Sequence, residues 1–302
     1  MTRRLVRLLF QLLAGLALAA PATGQMPRPD YAALPETAAQ QLDEHRRIAA
    51  ALSALKPQRP GVVDAYVIVV ALDSDPVFSR EAREAGRVLA SRFDAAGRTI
   101  VLANDEGDRK ADAVGSPHTL ALALARVAEL ADRKEDVLVL YSTSHGEADG
   151  GIIYLDMARG ARLITPQRFA GLLEPLGFKN RLLIVQACFS GQFVAPLRRP
   201  GTVVVTAAAE DRTSFGCQAG NDWTLFGTAL INHALRQPLP LDAQLSRAKA
   251  LIAAAEEEAG LPASNPQVSM GAETSAWLKA LDERAPKVAS APVGERVEGL
   301  GI

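Results

Sequence analysis

From residue 62 onward, apolar runs alternate with amphipathic stretches. Residues 62–72 (VVDAYVIVVAL) form an apolar run rich in β-branched side chains. That is the pattern of a strand buried on both faces. Residues 80–93 follow with helical spacing, then a strand at 99–103 (TIVLA), a helix at 119–131 and a strand at 136–141 (DVLVLY). Thr165 and Pro166 mark an N-cap and a proline at the first helical position, and that helix ends near Gly177. Strands at 181–187 (RLLIVQA) and 202–207 (TVVVTA) come next, then helices at 222–235 and 241–259, the second closed by Gly260. Residues 267–270 fit a short sixth strand, and residues 273–282 a last helix. Strands alternating with helices predict an α/β fold with a doubly wound, mostly parallel six-stranded sheet flanked by helices. The domain so defined covers residues 61–282. Residues 283–302 hold no periodic apolar face, and a mobile C-terminal tail is expected there.

The chain before residue 61 reads differently. Residues 25–60 place Pro27, Pro29, Pro35, Pro57 and Pro60 around one amphipathic stretch at 36–55. This predicts a lone helix between Pro-rich linkers, in the position of a pro-segment. Arg3, Arg4 and Arg7 precede an apolar run at 8–20, and small residues follow it. That is the layout of a signal peptide, expected to span residues 1–24. The run is short of the roughly 20 apolar residues a membrane span needs. An exported protein, periplasmic or secreted and without a membrane span after signal removal, is therefore expected.

Charge sharpens this picture. The 302 residues carry 33 Lys and Arg against 34 Asp and Glu. Setting aside Arg3, Arg4 and Arg7 leaves 30 basic residues (33 less these three) against the same 34 acidic ones, a mildly acidic remainder. Such a balance argues against a nucleic-acid partner. Two cysteines are too few for a disulfide scaffold. Nothing in the chain signals an oligomeric state.

In a doubly wound sheet the active groups stand at the carboxyl ends of the strands. No G-x-G-x-x-G, no P-loop lysine and no G-x-S-x-G occurs there, so no nucleotide cofactor and no serine-hydrolase elbow is expected. The third strand instead ends in Ser144-His145-Gly146, and the fourth in Gln186-Ala187-Cys188-Phe189-Ser190-Gly191. A cysteine and a histidine at neighbouring strand ends suit nucleophilic catalysis. Cys188 would attack a carbonyl, and His145 would take up the thiol proton and pass it to the leaving amine. The backbone N–H groups of Gly146 and Cys188 are candidates for the oxyanion hole. His145, Glu147 and Asp149 alternate in a polar loop, but without further spaced ligands they do not make a metal site. Trp223 and Trp277 are expected in the core.

The Ser144-His145-Gly146 and Gln186-Ala187-Cys188-x-Ser190-Gly191 segments resemble those of the caspase-like cysteine peptidases. Asp211-Arg212-Thr213-Ser214-Phe215-Gly216-Cys217, with Leu225-Phe226-Gly227 after it, resembles the legumain branch. The resemblance spans about residues 60–282 and implies a caspase-like fold in a bacterial-type exported member. It implies a cysteine endopeptidase acting on peptides or proteins, with Cys188 as nucleophile and His145 as general acid/base. A transpeptidase on the same dyad, or a non-catalytic binding module on the same fold, is the alternative. The third member of the site is left open, with Asp73 and Ser74 at the first strand end as candidates. Gln186 and Ser214 match pocket-lining positions of that family, and Arg80 falls near its basic pair. Thr228 stands where legumains carry an aspartate, so asparagine specificity is left open, and Arg80 with Gln186 could hold an acidic or carboxamide side chain. The helical C-terminal prodomain of animal and plant legumains has no counterpart here. The resemblance also implies that Cys217 is a buried free thiol beside the pocket, although two cysteines in an exported protein invite a disulfide.

Overall fold

The computed structural model describes residues 37–156, 160–295, 297, 299 and 300. The expected signal peptide lies outside them, as does the chain up to residue 36. Helix α1 (Ala38–Ala54) opens with a capping box in which Thr37 and Gln40 satisfy each other's backbone N–H groups. Strand β1 (Ala65–Ala71) is buried along its whole length, as its unbroken apolar run requires. Helix α2 (Pro76–Arg92) begins four residues earlier than its apolar spacing suggests, because Pro76 supplies the first helical position. Strand β2 (Thr99–Leu102), helix α3 (Pro117–Leu130), capped by Ser116, and strand β3 (Val137–Thr143) follow.

Strands β4 (Gly146–Glu147), β5 (Gly151–Asp156) and β6 (Gly160–Ile164) then form a small antiparallel sheet for which the sequence reading assigned no element. Helix α4 (Pro166–Leu173) runs through one 3₁₀ turn into Gly177 at φ +70°, the left-handed C-cap. Strand β7 (Asn180–Gln186), helix α5 (Val194–Leu197) and strand β8 (Thr202–Thr206) complete the parallel set. The expected helix at 222–235 is instead a composite. One turn of α6 (Leu225–Gly227) passes into a π-helical stretch, Thr228–His233, and a 3₁₀ turn, Ala234–Arg236. Helix α7 (Leu241–Glu258), strand β9 (Gln267–Met270) and helix α8 (Ser275–Arg284) end the regular structure.

The main sheet has six strands in the order β2-β1-β3-β7-β8-β9. All neighbours are parallel except β9, which pairs antiparallel with β8 at one edge. This is the mostly parallel, helix-flanked sheet that the alternation predicts. Alternate residues of β1 face opposite cores. Ala65, Val67, Val69 and Ala71 pack toward α2, α7 and α8, whereas Tyr66, Ile68 and Val70 pack toward α1, α3 and α4. The chain leaves β1 toward β2 and returns to β3 on the other side, so a crevice opens at the carboxyl ends of β1 and β3.

Trp223 and Trp277 are both core residues. The described residues after 284 form no helix or strand, and several of them are tied to the rest of the fold. Asn232 grips Val293 by its backbone N–H and carbonyl, both at 2.9 Å, and Trp223 Nε1 donates to the same carbonyl at 2.9 Å. Val297 and Leu300 are buried beyond that anchor. Two isolated side chains dock it, and an isolated pair leaves no periodicity to read. Among the described residues no helix is long and apolar enough to cross a membrane.

Candidate active site

Strand β3 delivers His145 and strand β7 delivers Cys188, both just past the carboxyl ends of these neighbouring strands. Ser144 N donates to the Gln186 carbonyl at 3.1 Å and continues the ladder by one bond. Beyond it the two chains turn apart. The turn after β7 holds Phe189 at φ +56°, a left-handed conformation that costs a non-glycine residue free energy. Phe189 N donates to Arg212 O at 2.7 Å, and Ser190 Oγ accepts from Ala208 N at 3.2 Å. These bonds hold the strained turn in place and lift Cys188 out of the sheet. The Cys188 N–H favours the thiolate of its own side chain. Gly146 lies against the same turn. A Cβ at this position would come 2.1 Å from the Cys188 carbonyl oxygen, so only glycine allows the approach.

His145 and Cys188 line one cleft of about 510 Å³, and no hydrogen bond joins them. Cys188 is bracketed by the backbone of Ser214, whose N–H donates to Sγ at 3.3 Å and whose carbonyl accepts from it at 3.5 Å. Burial pushes the Cys188 thiol above its ordinary range, and the Ser214 N–H opposes this by favouring the thiolate. The resting group is a thiol.

His145 Nε2 stands 3.1 Å from Asp75 Oδ2, and Phe78 meets the imidazole edge-on at 4.9 Å between ring centres. Asp75, rather than Asp73 or Ser74, therefore orients the histidine. Asp73 lies just behind, almost fully buried. Its Oδ1 accepts from Asp75 N at 2.9 Å, which fixes the turn that presents Asp75. Burial raises the Asp73 carboxyl above the usual range. Potential cation-ligating atoms of Asp73, Asp75 and His145 fall within 4.8 Å of one another. Glu147 and Asp149, weighed with His145 from sequence, are not in that group.

The expected pocket residues separate. Ser214 lines the cleft with Cys188. Gln186 lies beneath, fully buried, and Thr228 is nearly so. Arg80 does not join them. Its guanidinium is held by Glu106 at 2.5 Å and by the carbonyls of Ala219 and Asn221 at 2.8 and 3.0 Å. Under the cleft floor sits Glu81, which the sequence reading did not single out. Its Oε1 meets Tyr141 Oη at 2.5 Å and Thr143 Oγ1 at 2.8 Å, and its Oε2 accepts from Thr224 N and Oγ1 at 2.9 and 2.7 Å. Burial raises its pKa, and the hydrogen bonds from Tyr141, Thr224 and Thr143 oppose that rise. Thr143 Oγ1 lies 2.9 Å from Gln186 Oε1 as well. Both cysteines are free thiols, and burial drives the Cys217 thiol far above its usual value, leaving it neutral.

A family model described as the Peptidase C13 family matches residues 115–270, just over half of the chain. None of the curated proteins compared matches it. Among solved structures, the chain is similar to caspase-1 from Spodoptera frugiperda, at 14% identity and a TM-score of 0.45. That similarity covers 72% of this chain and 93% of the other. The matched stretch runs from the start of α3 through β9 and contains both His145 and Cys188. The chain belongs to the Peptidase C13 family and is accordingly a cysteine peptidase with peptide or protein substrates.

Proposed function

We propose that the protein is an exported cysteine endopeptidase working through a Cys188 thioester. The carrying observation is that Cys188 and His145 end neighbouring strands and face one cleft, with His145 braced by Asp75. Export rests on the basic and apolar pattern of residues 1–24.

Hydrogen bonding to Asp75 places the imidazole proton on Nε2 and leaves Nδ1 as the basic nitrogen. When substrate binds, Cys188 passes its proton to Nδ1. The Sγ lone pair forms the S–C bond to the scissile carbonyl carbon, and the carbonyl π pair moves to oxygen. The N–H groups of Gly146 and Cys188 receive that oxyanion, each donor contributing about 3 kcal/mol. As the oxyanion collapses, the C–N bond breaks and His145 protonates the departing amine. Water then adds to the thioester with His145 taking its proton, and the C–S bond breaks to release the acid and the thiol.

Hydrolysis of a peptide panel by Cys188→Ala tests this reading. Turnover is expected to fall by at least about 10³-fold, as for loss of an attacking nucleophile. Turnover equal to that of the unmodified protein would overturn it.

A further inference from the structure

The cleft beside Cys188 carries no Lys, Arg, Asp or Glu among its described lining residues. Its polar lining is His145, Ser214 and Gln218, whose Oε1 already accepts from Asn221 Nδ2 at 2.9 Å, and its apolar lining is Phe215, Cys217, Ala259 and Leu261. The groups expected to read a polar or acidic side chain are elsewhere. Arg80 is engaged with Glu106 and two carbonyls. Gln186 is sealed below, where its Nε2 reaches no oxygen and its neighbour is the Cys217 thiol. An aspartate side chain in this cleft would lose its hydration and gain no cation.

The chain's own C-terminal segment shows what the cleft tolerates. After the anchor at Val293, Glu295 N donates to Asp222 Oδ2 at 2.9 Å, and Val297 packs over Gly216. Gly299 and Leu300 then reach the cleft, where Leu300 is 6% exposed. Leu300 is thus one of the apolar walls that a substrate side chain would meet.

We propose that this cleft selects substrates by an uncharged apolar side chain of leucine size next to the scissile bond, read by Phe215, Cys217, Leu261 and Leu300. The inference rests on the peptidase reading above. It adds the substrate class and makes the C-terminal segment part of the specificity pocket.

The test is alkylation of Cys188 in the full chain by peptidyl chloromethyl ketones. The probes differ only in having Leu, Asn, Asp or Lys beside the electrophile, and adducts are read by mass spectrometry against an iodoacetamide control. The leucine probe is expected to react at least about tenfold faster than the other three, the scale of discrimination an apolar pocket provides. Equal rates, or a lead for Asn, Asp or Lys, would overturn the substrate class and leave the peptidase reading standing. If no peptidyl probe outpaces iodoacetamide, both readings fall.

Leu261→Arg supplies the second arm. Leu261 is only partly buried, so the fold should tolerate the change. It should slow the leucine probe by about tenfold and accelerate the aspartate probe, whereas Leu261→Met should keep the leucine preference. Leu300→Asp should slow the leucine probe and favour the lysine probe. Unchanged rates in both charged variants would overturn the assignment of these walls.

Discussion

Asp75 holds His145 through one carboxylate oxygen, and its side chain is 44% exposed. Its removal should therefore disturb the imidazole far more than the fold. Asp75→Asn is expected to lower kcat by about 10²- to 10⁴-fold, the range of a positioned acid–base group, with little change in KM. Its urea midpoint should move by no more than about 0.5 kcal/mol equivalent. An unchanged kcat with a raised KM would give Asp75 a substrate-binding role instead. Cys188 makes a second expectation at this scale. Its thiol is pushed upward by burial and no histidine hydrogen bond offsets this. Iodoacetamide alkylation of the resting protein should thus rise only above the ordinary cysteine range, and a limb below that range would show a preformed thiolate. His145 and Cys188 were legible because strand-end position and flanking glycines mark them locally. Asp75 was not, because its direction is set by the Asp73 turn and the start of α2, and no spacing rule encodes a turn's orientation. Glu81 was silent for a related reason. A glutamate on an amphipathic helix looks solvated until the residues that bury it are known.

The strands of the main sheet were the most readable elements, since five of the six are pure apolar runs over most of their length. The segment after Asn221 was less so. Its apolar spacing fits a helix, but Glu81 presses against it from α2. A Cβ at Gly227 would lie 2.0 Å from Glu81 Oε2, and the chain widens to π geometry directly after that contact. The β4–β6 sheet was missed because its strands are short and two of them are largely solvent-facing. Its signal was the apolar run Ile152-Ile153-Tyr154-Leu155. Near the end of α7, Glu256 is buried and accepts from Ser264 N at 3.0 Å. The contact between β4 and the Cys188 turn yields a prediction for these elements. Gly146→Ala would force a backbone shift costing about 1–3 kcal/mol. A lower urea midpoint together with slower peptide turnover is expected, and a wild-type midpoint would show that the two segments separate freely.

At the scale of the whole molecule, the two ends of the described chain lie on opposite faces of the sheet. α1 joins the α3 and α4 side through Ile48, and Arg47 clasps Asp105 at 2.9 and 3.0 Å. The described part of the N-terminal segment therefore packs on the α3 and α4 side of the sheet. The C-terminal residues lie on the other side and depend on Asn232. Asn232→Ala removes both of its bonds to Val293. Carboxypeptidase should then trim residues 293–302 faster than in the unmodified protein, and equal trimming would assign the anchor to Trp223 alone. Whole-chain placement of this kind is the least legible in a sequence, because two buried side chains and one asparagine carry it. The buried Leu300 has a practical consequence for handling the molecule. A reporter inserted directly after Leu300 would start beside the cleft and compete with incoming peptide. A tag inserted ahead of α1 would emerge on the other face of the sheet and leave the cleft open.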